Sequence, residues 1–443
     1  MTPSLSHDLA ALFGGVAQVA DVDLSRYAVD GVAPKAVVSP DSVEALGRVL
    51  ALASREKLAV AARGGGTLAR LGNLPSRLDI VLDTTRLNRV VDHQPEDMTA
   101  TVQGGIAVLE LRRQLAKHGQ RLPLDAPLPE QGTIGGLLAT GFAGPRRLLH
   151  GLPRDWLLGC TVVLADGTAA KSGGKVVKNV TGYDLNKLYV GSLGTIGVIV
   201  EATFKLIPLP QEERALLAPF PSWAAAQEAA AAVAKLPFVP CSLELMDRRA
   251  LAPLRASPAE VTLLVGLEGR RVAVARMVSE VSKAIRGHGA SQMDDLQGAQ
   301  SAAFWQAVAD LPWRAASAPF MSLRASLLPS ALGQALEAMS SLPLSAFEPG
   351  VMVGPGYGGL RLLCYPRVGG TNLAEEARRL AASFHQRVQA LGGYAVVESC
   401  PPEVKQGLDV WGDVPGGLEV MRRLKAELDP LGTLNPGRYV GGL

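Results

Sequence analysis

Apolar residues recur at helical spacing between Asp41 and Lys57, where Val43, Leu46, Leu50 and Ala53 share one face. Asp41, followed three residues on by Glu44, opens the segment like a capping box, so the pattern predicts an amphipathic helix over 41–57. A short apolar run, Leu58 to Ala62, comes next and ends in Arg63-Gly64-Gly65-Gly66-Thr67, which reads as a strand entering a glycine loop. Segments 80–85 (IVLDTT) and 98–105 (MTATVQGG) alternate like strands, and Val108, Leu111 and Leu115 mark a second helix that Gly119 closes. Strand and helix alternate here, which is α/β organisation.

Between Gln131 and Gly144 the chain is almost uncharged and carries Gly132, Gly135, Gly136, Gly141 and Gly144. That density disfavours a helix or strand through the whole stretch and predicts backbone approaching something closely. A strand follows over 157–168, with Asp166-Gly167 as a hairpin turn. Gly191, Gly194 and Gly197 then lead into a strand from Val198 to Leu206, and Pro208-Leu209-Pro210 before the charged QEER marks a domain boundary. Beyond it come an alanine-rich helix, Ala224 to Ala234, and two similar strand–helix units. Residues 261–269 precede a helix ending near Gly287 and Gly289; residues 360–366 precede a helix over about 372–391 and a strand at 394–399. They predict an antiparallel sheet with helices on one face, and as sequence an internal duplication and two ordinary α+β units read alike.

Composition narrows the function. A chain of 443 residues makes two or three domains at about 150 residues each. Lys+Arg 44 against Asp+Glu 41 gives a net charge of +3, and the arginine pairs are scattered, so no nucleic-acid partner is indicated. Cys160, Cys241, Cys364 and Cys400 form no CxxC and no Cys/His cluster, which argues against an iron–sulfur or zinc site and for reduced thiols. No Lys or Arg precedes Arg26, so the basic start of a secretory signal is missing, and no uncharged apolar run nears the ~18 residues of a membrane span. The expectation is a cytoplasmic enzyme or subunit of one.

The first glycine loop contains G-x-G-x-x-A in Gly64, Gly66 and Ala69, the outline of a dinucleotide-binding turn. Gly72 and Pro75, however, leave no room between Thr67 and Leu78 for the helical crossover of a parallel pair, and no Gly-Lys-Ser/Thr follows for a Walker loop. What remains is either a structural turn or a concave site of successive backbone N–H groups suited to an anion. Arg63 beside it either counters a diphosphate or pairs with a surface acid.

Taken in order, Arg63-GGGT, Thr133-Ile134-Gly135-Gly136 and Gly191-Ser-Leu-Gly194-Thr-Ile-Gly197-Val-Ile resemble the FAD-binding domain of the vanillyl-alcohol oxidase/p-cresol methylhydroxylase (PCMH) superfamily. GPRRLLHGLPRDWLLGCTVVLADG, KNVTGYDLNKLYVGSLGT and the closing VWGDVPGGLEVMRRLKAELDPLGTLNPGR (410–438) resemble its glycolate oxidase and D-lactate dehydrogenase branch, most closely the FAD-binding E subunits. The resemblance implies an α+β chain: a PCMH-type FAD-binding domain over 1–209, an antiparallel-sheet α+β substrate domain over 210–409, and a segment 410–443 returning to the first domain. It also implies that Arg63, Gly64, Gly65, Gly66 and Thr67 hold the pyrophosphate, that Thr133, Ile134, Gly135, Gly136 and Gly141 line the flavin, and that Gly194, Gly197, Val198 and Ile199 hold the adenine end. Asn435 and Arg438 fall in the NPGR that either approaches the flavin or forms a simple C-terminal turn; Lys178 and Tyr183 flank KNVTGYD, where they face the isoalloxazine or, for Tyr183, simply cap a buried loop.

The departures carry information too. Catalytic relatives have a histidine-rich metal motif of the type HVGDGNLH, which is absent; the six histidines stand alone, so no metal site is expected. Thr67 occupies the place of the histidine that links flavin covalently in several relatives, so the FAD is expected to be non-covalent. His150, between Arg147 and Arg154, is a candidate base or a satisfied histidine. Arg324, alone among apolar residues in FMSLRAS, is the candidate to bind a substrate carboxylate, or an edge-strand charge; Glu244 or Glu398 could pair with it. Together these imply oxidation of a 2-hydroxy acid such as glycolate or D-lactate, in a complex with a D-type flavoprotein subunit and an iron–sulfur subunit. Two alternatives stand beside it: a self-sufficient FAD oxidase or dehydrogenase of another alcohol, and a non-catalytic flavin-binding relay subunit.

Overall fold

A computed structural model describes residues 12–175, 183–254, 259–290, 292–314, 318–413 and 416–443. Two sheets and the helix between them organise the first compact unit, Met1–Phe142, Leu152–Leu209 and Asp413–Leu443. The helix runs Val43–Arg55, two residues later than the capping-box reading, because Ser42 rather than Asp41 caps it: the Ser42 hydroxyl accepts from the Ala45 N–H at 3.1 Å. Asp41 instead pairs with Arg86 at 3.2 Å. The helix buries Leu46, Val49, Leu50 and Ala53 against Val38, Ile80 and Leu82 of one sheet and Val163, Val198 and Val200 of the other. Full burial of Leu46 and Leu50 stabilises by about 1.5–3 kcal/mol each.

In the first sheet the strands run in the order Gln18–Val19, Ala36–Ser39, Ile80–Asp83, Val60–Arg63. Val60–Arg63 pairs with Ile80–Asp83 in parallel. The expectation that a parallel pair demands a helical crossover fails here: residues 64–79 cross without a helix. Arg438 takes over that task. Its guanidinium donates to the carbonyls of Ala69 and Leu71, both at 2.6 Å, and of Asn73 at 2.9 Å, and pairs with buried Asp30. The far edge of Val60–Arg63 is closed by the C-terminal segment, since the Val60 N–H donates to Thr433 O at 2.7 Å and the Asn435 N–H to Val60 O at 2.9 Å.

The second sheet is antiparallel, ordered Val90–Gln94, Thr99–Gln103, Val198–Lys205, Leu157–Val163, Ala169–Gly173. Against Val198–Lys205 packs a helix, Ile134–Thr140, inside the stretch whose glycines argued against one. Thr133 caps its start and Gly141, at φ +62°, ends it. Gly135 is required by proximity: its N–H donates to Gly104 O at 2.6 Å, and a Cβ would stand 2.9 Å from that oxygen.

The second unit is Ala143–Gly151 with Pro210–Gly412, so the expected continuous span 1–209 is interrupted by a short segment grouped with the later residues. Its eight strands form one sheet in the order Asp294–Gln297, Glu212–Phe220, Val261–Gly269, Ser242–Asp247, Phe347–Gly354, Gly359–Pro366, Met321–Ser326, Tyr394–Ser399, every pair antiparallel. Apart from the short helical turns Arg248–Leu251 and Ala252–Leu254 between the second and third strands of the first half, each half reads strand–helix–strand–strand–helix–strand along the chain, with its four strands in spatial order 4-1-3-2, and the two halves meet at their second strands. This arrangement is the duplicated one. Helices on one face alone do not describe it. In the first half, helix Ala299–Asp310 packs Trp305 and Val308 on Ala215, Leu217 and Leu264, the face opposite Leu216 and Leu263, which explains the unbroken apolar run VTLLVGL. All four cysteines are buried and free.

Candidate functional site

The glycine loop after Val60–Arg63 forms the wall of a cleft in the first unit, with about 690 Å³ of open space. Close packing dictates its composition. A Cβ on Gly64 would lie 2.1 Å from Thr133 Oγ1 and one on Gly65 1.8 Å from Gln131 O, while Gly66 sits at φ +71° with the Arg63 guanidinium alongside. Among the described residues, the backbone N–H groups of Gly64, Gly65, Gly66, Thr67 and Leu68 donate to no protein acceptor. Five consecutive donors of this kind are an anion cradle. Arg63 donates to Arg26 O at 2.8 Å and lies over the Tyr27 ring, 4.9 Å from its centroid. Burial lowers its pKa, and Tyr27 and Asp83 oppose that shift.

Two further segments complete the cleft. Asn435, itself at φ +43°, donates through Nδ2 to Leu193 O at 2.7 Å and so ties the C-terminal segment to the 191–197 loop. Behind it Lys425 donates to Thr195 O at 2.6 Å and Leu434 O at 2.9 Å and pairs with buried Asp429. Burial pushes the Lys425 pKa down, against the pull of Asp429.

The second unit holds a cluster of arginines on one sheet face. Arg324 and Arg361 stand directly opposite one another on paired strands. Glu398 joins them because of a β-bulge: Ser322 pairs with Ser399 and Leu323 with Val397, leaving Glu398 without an opposite residue and re-aimed. Its carboxylate, 5 % exposed, accepts from Arg324 Nε at 2.8 Å, from Arg361 Nε at 2.7 Å and Nη2 at 3.2 Å, and from Ser322 Oγ at 3.3 Å. Burial alone would raise the Glu398 pKa, but Arg361 and Arg324 outweigh it and hold the carboxyl below its usual range. Glu244 lies on the same face by register, two residues from Met246, which leads through Met352 to Arg361. It accepts from the Tyr357 hydroxyl at 2.8 Å; burial, then Glu244, keeps that phenol protonated far above its ordinary pKa.

A family model described as "FAD binding domain" matches residues 34–173, and one described as "FAD linked oxidases, C-terminal domain" matches 209–394 and 413–439. The chain belongs to the FAD-linked oxidases. It is similar to glycolate oxidase subunit GlcD of Bacillus subtilis, at 28% identity over 91% of this chain and 88% of that protein. It is also similar to D-lactate dehydrogenase of Archaeoglobus fulgidus, at 35% identity over 50% of each chain. Among solved structures, alkyldihydroxyacetonephosphate synthase shares the fold, with a TM-score of 0.73 at 20% identity over 98% of this chain and 85% of that one. FAD is thus the cofactor of this α+β, PCMH-type flavoprotein oxidoreductase. The cleft fits it: the unpartnered N–H run suits a diphosphate, and Val29, Leu68, Ala139 and Leu193 give the wall an apolar side.

In this FAD-linked oxidase the residues selected from sequence separate into distinct settings. Arg63 to Thr67, Thr133, Gly136, Asn435 and Arg438 line the cleft. The donors of Arg438 are occupied by the 69–73 carbonyls and Asp30, so it shapes the glycine loop. Ile134, Val198 and Ile199 are core residues, Gly135 and Gly197 are demanded by close neighbours, and Gly141 and Gly194 take left-handed turns. Lys178 lies outside the described residues. Tyr183 is 94 % exposed in the first unit. His150 is in the second unit with Glu268 at 2.7 Å, both nearly buried, and outside the hydrogen bonds that tie Arg324 to Glu398. Sequence reasoning passed over Arg361, Tyr357 and Arg147. Arg361 in LRLLCYP meets the criterion that selected Arg324, a single charge among apolar strand residues.

Proposed function

We propose that this FAD-linked oxidase oxidises a small 2-hydroxy acid of the glycolate or D-lactate type. We propose further that it works in the cytoplasm as the FAD-binding subunit of a complex with a D-type flavoprotein subunit and an iron–sulfur subunit. The names of its relatives support the substrate class, which runs through glycolate oxidase, D-lactate dehydrogenase and D-2-hydroxyglutarate dehydrogenase. The observation that carries the reading onto this chain is Arg324. Its Nε is fixed by Glu398 and its Nη1 by Ser326, and among the described residues its Nη2 has no acceptor, so the fork is oriented yet retains a donor for a carboxylate. Bound FAD supplies the two-electron acceptor for the substrate C2–H bond. The chain's own part is to hold the diphosphate on the Gly64–Leu68 N–H groups, non-covalently because Thr67 carries no nucleophilic ring nitrogen, and to orient the acid through Arg324. His150, engaged with Glu268, serves in this reading as an anchor rather than a base. The similarity to a protein named as a subunit supports a multi-subunit setting, as does the isolation of the six histidines in sequence. Among the described residues, no helix is long and apolar enough to cross a membrane.

The test is anaerobic titration of the flavin with a panel of hydroxy acids, on the single chain and on the chain co-expressed with a D-type and an iron–sulfur partner. Glycolate or D-lactate should bleach the flavin in the complex, and turnover by the single chain should be poor. Equal turnover by the single chain would replace the complex with a self-sufficient enzyme; a flavin that no hydroxy acid reduces in either preparation would overturn the reading.

A further inference from the structure

The segment Ala143–Gly151 is fastened to the second unit on both sides of one residue, Arg147. Before it, Arg146 Nη2 pairs with Glu213 at 3.0 Å; after it, His150 Nε2 meets Glu268 at 2.7 Å. Leu148 lies against Gly356, where a Cβ would come within 2.5 Å of its Cδ1. Arg147, by contrast, has no carboxylate. Its guanidinium rests over the Tyr357 ring, 4.8 Å from the centroid, and among the described residues it makes no hydrogen bond and no ion pair. An arginine half withdrawn from water, on a segment pinned either side, normally finds an acceptor.

The surroundings make the vacancy of charge specific. Arg147 lies within electrostatic range of Arg324, Arg361, Tyr357 and Glu244. Burial depresses its pKa, Tyr357 and Glu244 support its charge, and the cations Arg324 and Arg361 press it down further. Among these groups three guanidiniums meet two carboxylates, Glu244 and Glu398, and the Tyr357 hydroxyl stays neutral, an excess of one positive charge on the side of Arg147 and Arg324, while the flanking Arg146 faces two carboxylates of its own, Glu213 and Glu268. Glu398 is already saturated by four donors. On the same sheet face helix Ala299–Asp310 packs Trp305 and Val308 against Ala215, Leu217 and Leu264 of the first half, with Met352, Leu363 and Tyr365 of the second half in the same apolar cluster. Arg324 and Arg361 are the charges that the second half adds to this face.

We infer that Arg147 and Arg324 together form a two-arginine site for one carboxylate, with Arg361 holding Glu398 as its positioning partner, and that Arg147 is a specificity-determining residue for monoanionic 2-hydroxy acids. The inference rests on the reading of Arg324 given above and adds a second ligand-contacting group to it. Glu244, through Tyr357, positions the ring on which Arg147 lies. The short segment pinned by Glu213 and Glu268 exists, in this account, to deliver one side chain.

The probe is 2-hydroxyisobutyrate, which has the carboxylate and hydroxyl of the substrate class but no hydrogen on C2 and so is not oxidised. Binding to the full FAD-loaded chain is measured by calorimetry, with the neutral 2-hydroxyisobutyramide as control. The acid should bind and the amide should not. Arg147→Gln should weaken the acid by about tenfold or more, and Arg147→Lys by less, because the charge remains while the fork is lost. Flavin content and the thermal midpoint should stay at the wild-type values in both. Unchanged affinity in Arg147→Gln with affinity lost in Arg324→Gln overturns the role of Arg147 and leaves the reading of Arg324 standing. Binding that depends on Arg147 in a chain whose flavin no hydroxy acid reduces keeps the carboxylate site and removes the proposed substrate class. Absence of any binding of the acid to the wild-type chain overturns the inference.

Discussion

Replacing Glu398 with Gln leaves two arginines facing one another across neighbouring strands with a neutral amide in place of their shared counter-charge. The wild-type carboxylate accepts four hydrogen bonds, three from guanidiniums, while 5 % exposed. Removing one member of such an ion cluster costs about 3–5 kcal/mol when the charge left behind is buried, and Arg361, 18 % exposed, is that charge here, whereas Arg324 at 32 % keeps part of its hydration. Like charges directly opposite on paired strands add about 0.2–1 kcal/mol. Glu398→Gln should therefore lower the urea midpoint of the second unit sharply at neutral pH, and Arg361→Met in that background should recover part of the loss. The pH dependence has a fixed sign. The folded carboxyl titrates below its ordinary value of about 4.5, so its contribution is complete above that pH and lost as pH falls through the folded pKa. The gap between wild type and variant should be level from about pH 6 to 8 and close in acid. A loss under about 1 kcal/mol, or a gap that persists in acid, would refute the account of Glu398 as the anchor of the arginine pair.

Gly65→Val should abolish flavin retention, because a Cβ there overlaps Gln131 O at 1.8 Å and the loop must move by more than an ångström; full FAD occupancy measured by absorbance would place the diphosphate elsewhere. Gly333→Ala is the control, with nothing within 4 Å of the new methyl and an expected change between neutral and about 1 kcal/mol of stabilisation in urea unfolding. Acid precipitation should release all of the flavin as FAD, and flavin left in the pellet would show a covalent link. Arg324→Ala should weaken hydroxy-acid binding by about tenfold to a hundredfold and Arg324→Lys by less, with FAD content normal in both; unchanged affinity in anaerobic titration would return Arg324 to an edge-strand charge.

Much of the fold was legible because periodicity and punctuation agreed. The helix at Val43–Arg55 and the strands ending at Arg63 and Lys205 carry their signals within a dozen residues. The parallel pairing of Val60–Arg63 and Ile80–Asp83 was not legible, since its crossover is held by Arg438, 369 residues from Ala69 in sequence. The helix Ile134–Thr140 was hidden by glycines that answer to Gly104 and the loop contacts rather than to helix propensity. The charge cluster illustrates the same limit from another side. Arg324 could be picked out as a single charge in an apolar strand, but its pairing with Arg361 needed the strand order and its contact with Glu398 needed a bulge.

The closure of the Val60 edge by Thr433 and Asn435, and of the glycine loop by Arg438, sets an order of events during synthesis. Strand Val60–Arg63 and the glycine loop leave the ribosome long before the residues that complete them, and the whole eight-stranded second unit is made in between. The first unit therefore waits with an unpaired strand edge and an unbraced loop until translation is nearly finished. If the glycine loop holds the flavin as proposed, flavin capture is a late event, because a chain that ends before Thr433 lacks the residues that close the strand edge and brace the loop. For expression, this places the vulnerable interval at the end of the message, where riboflavin supply and chaperone attendance would have their greatest effect on yield.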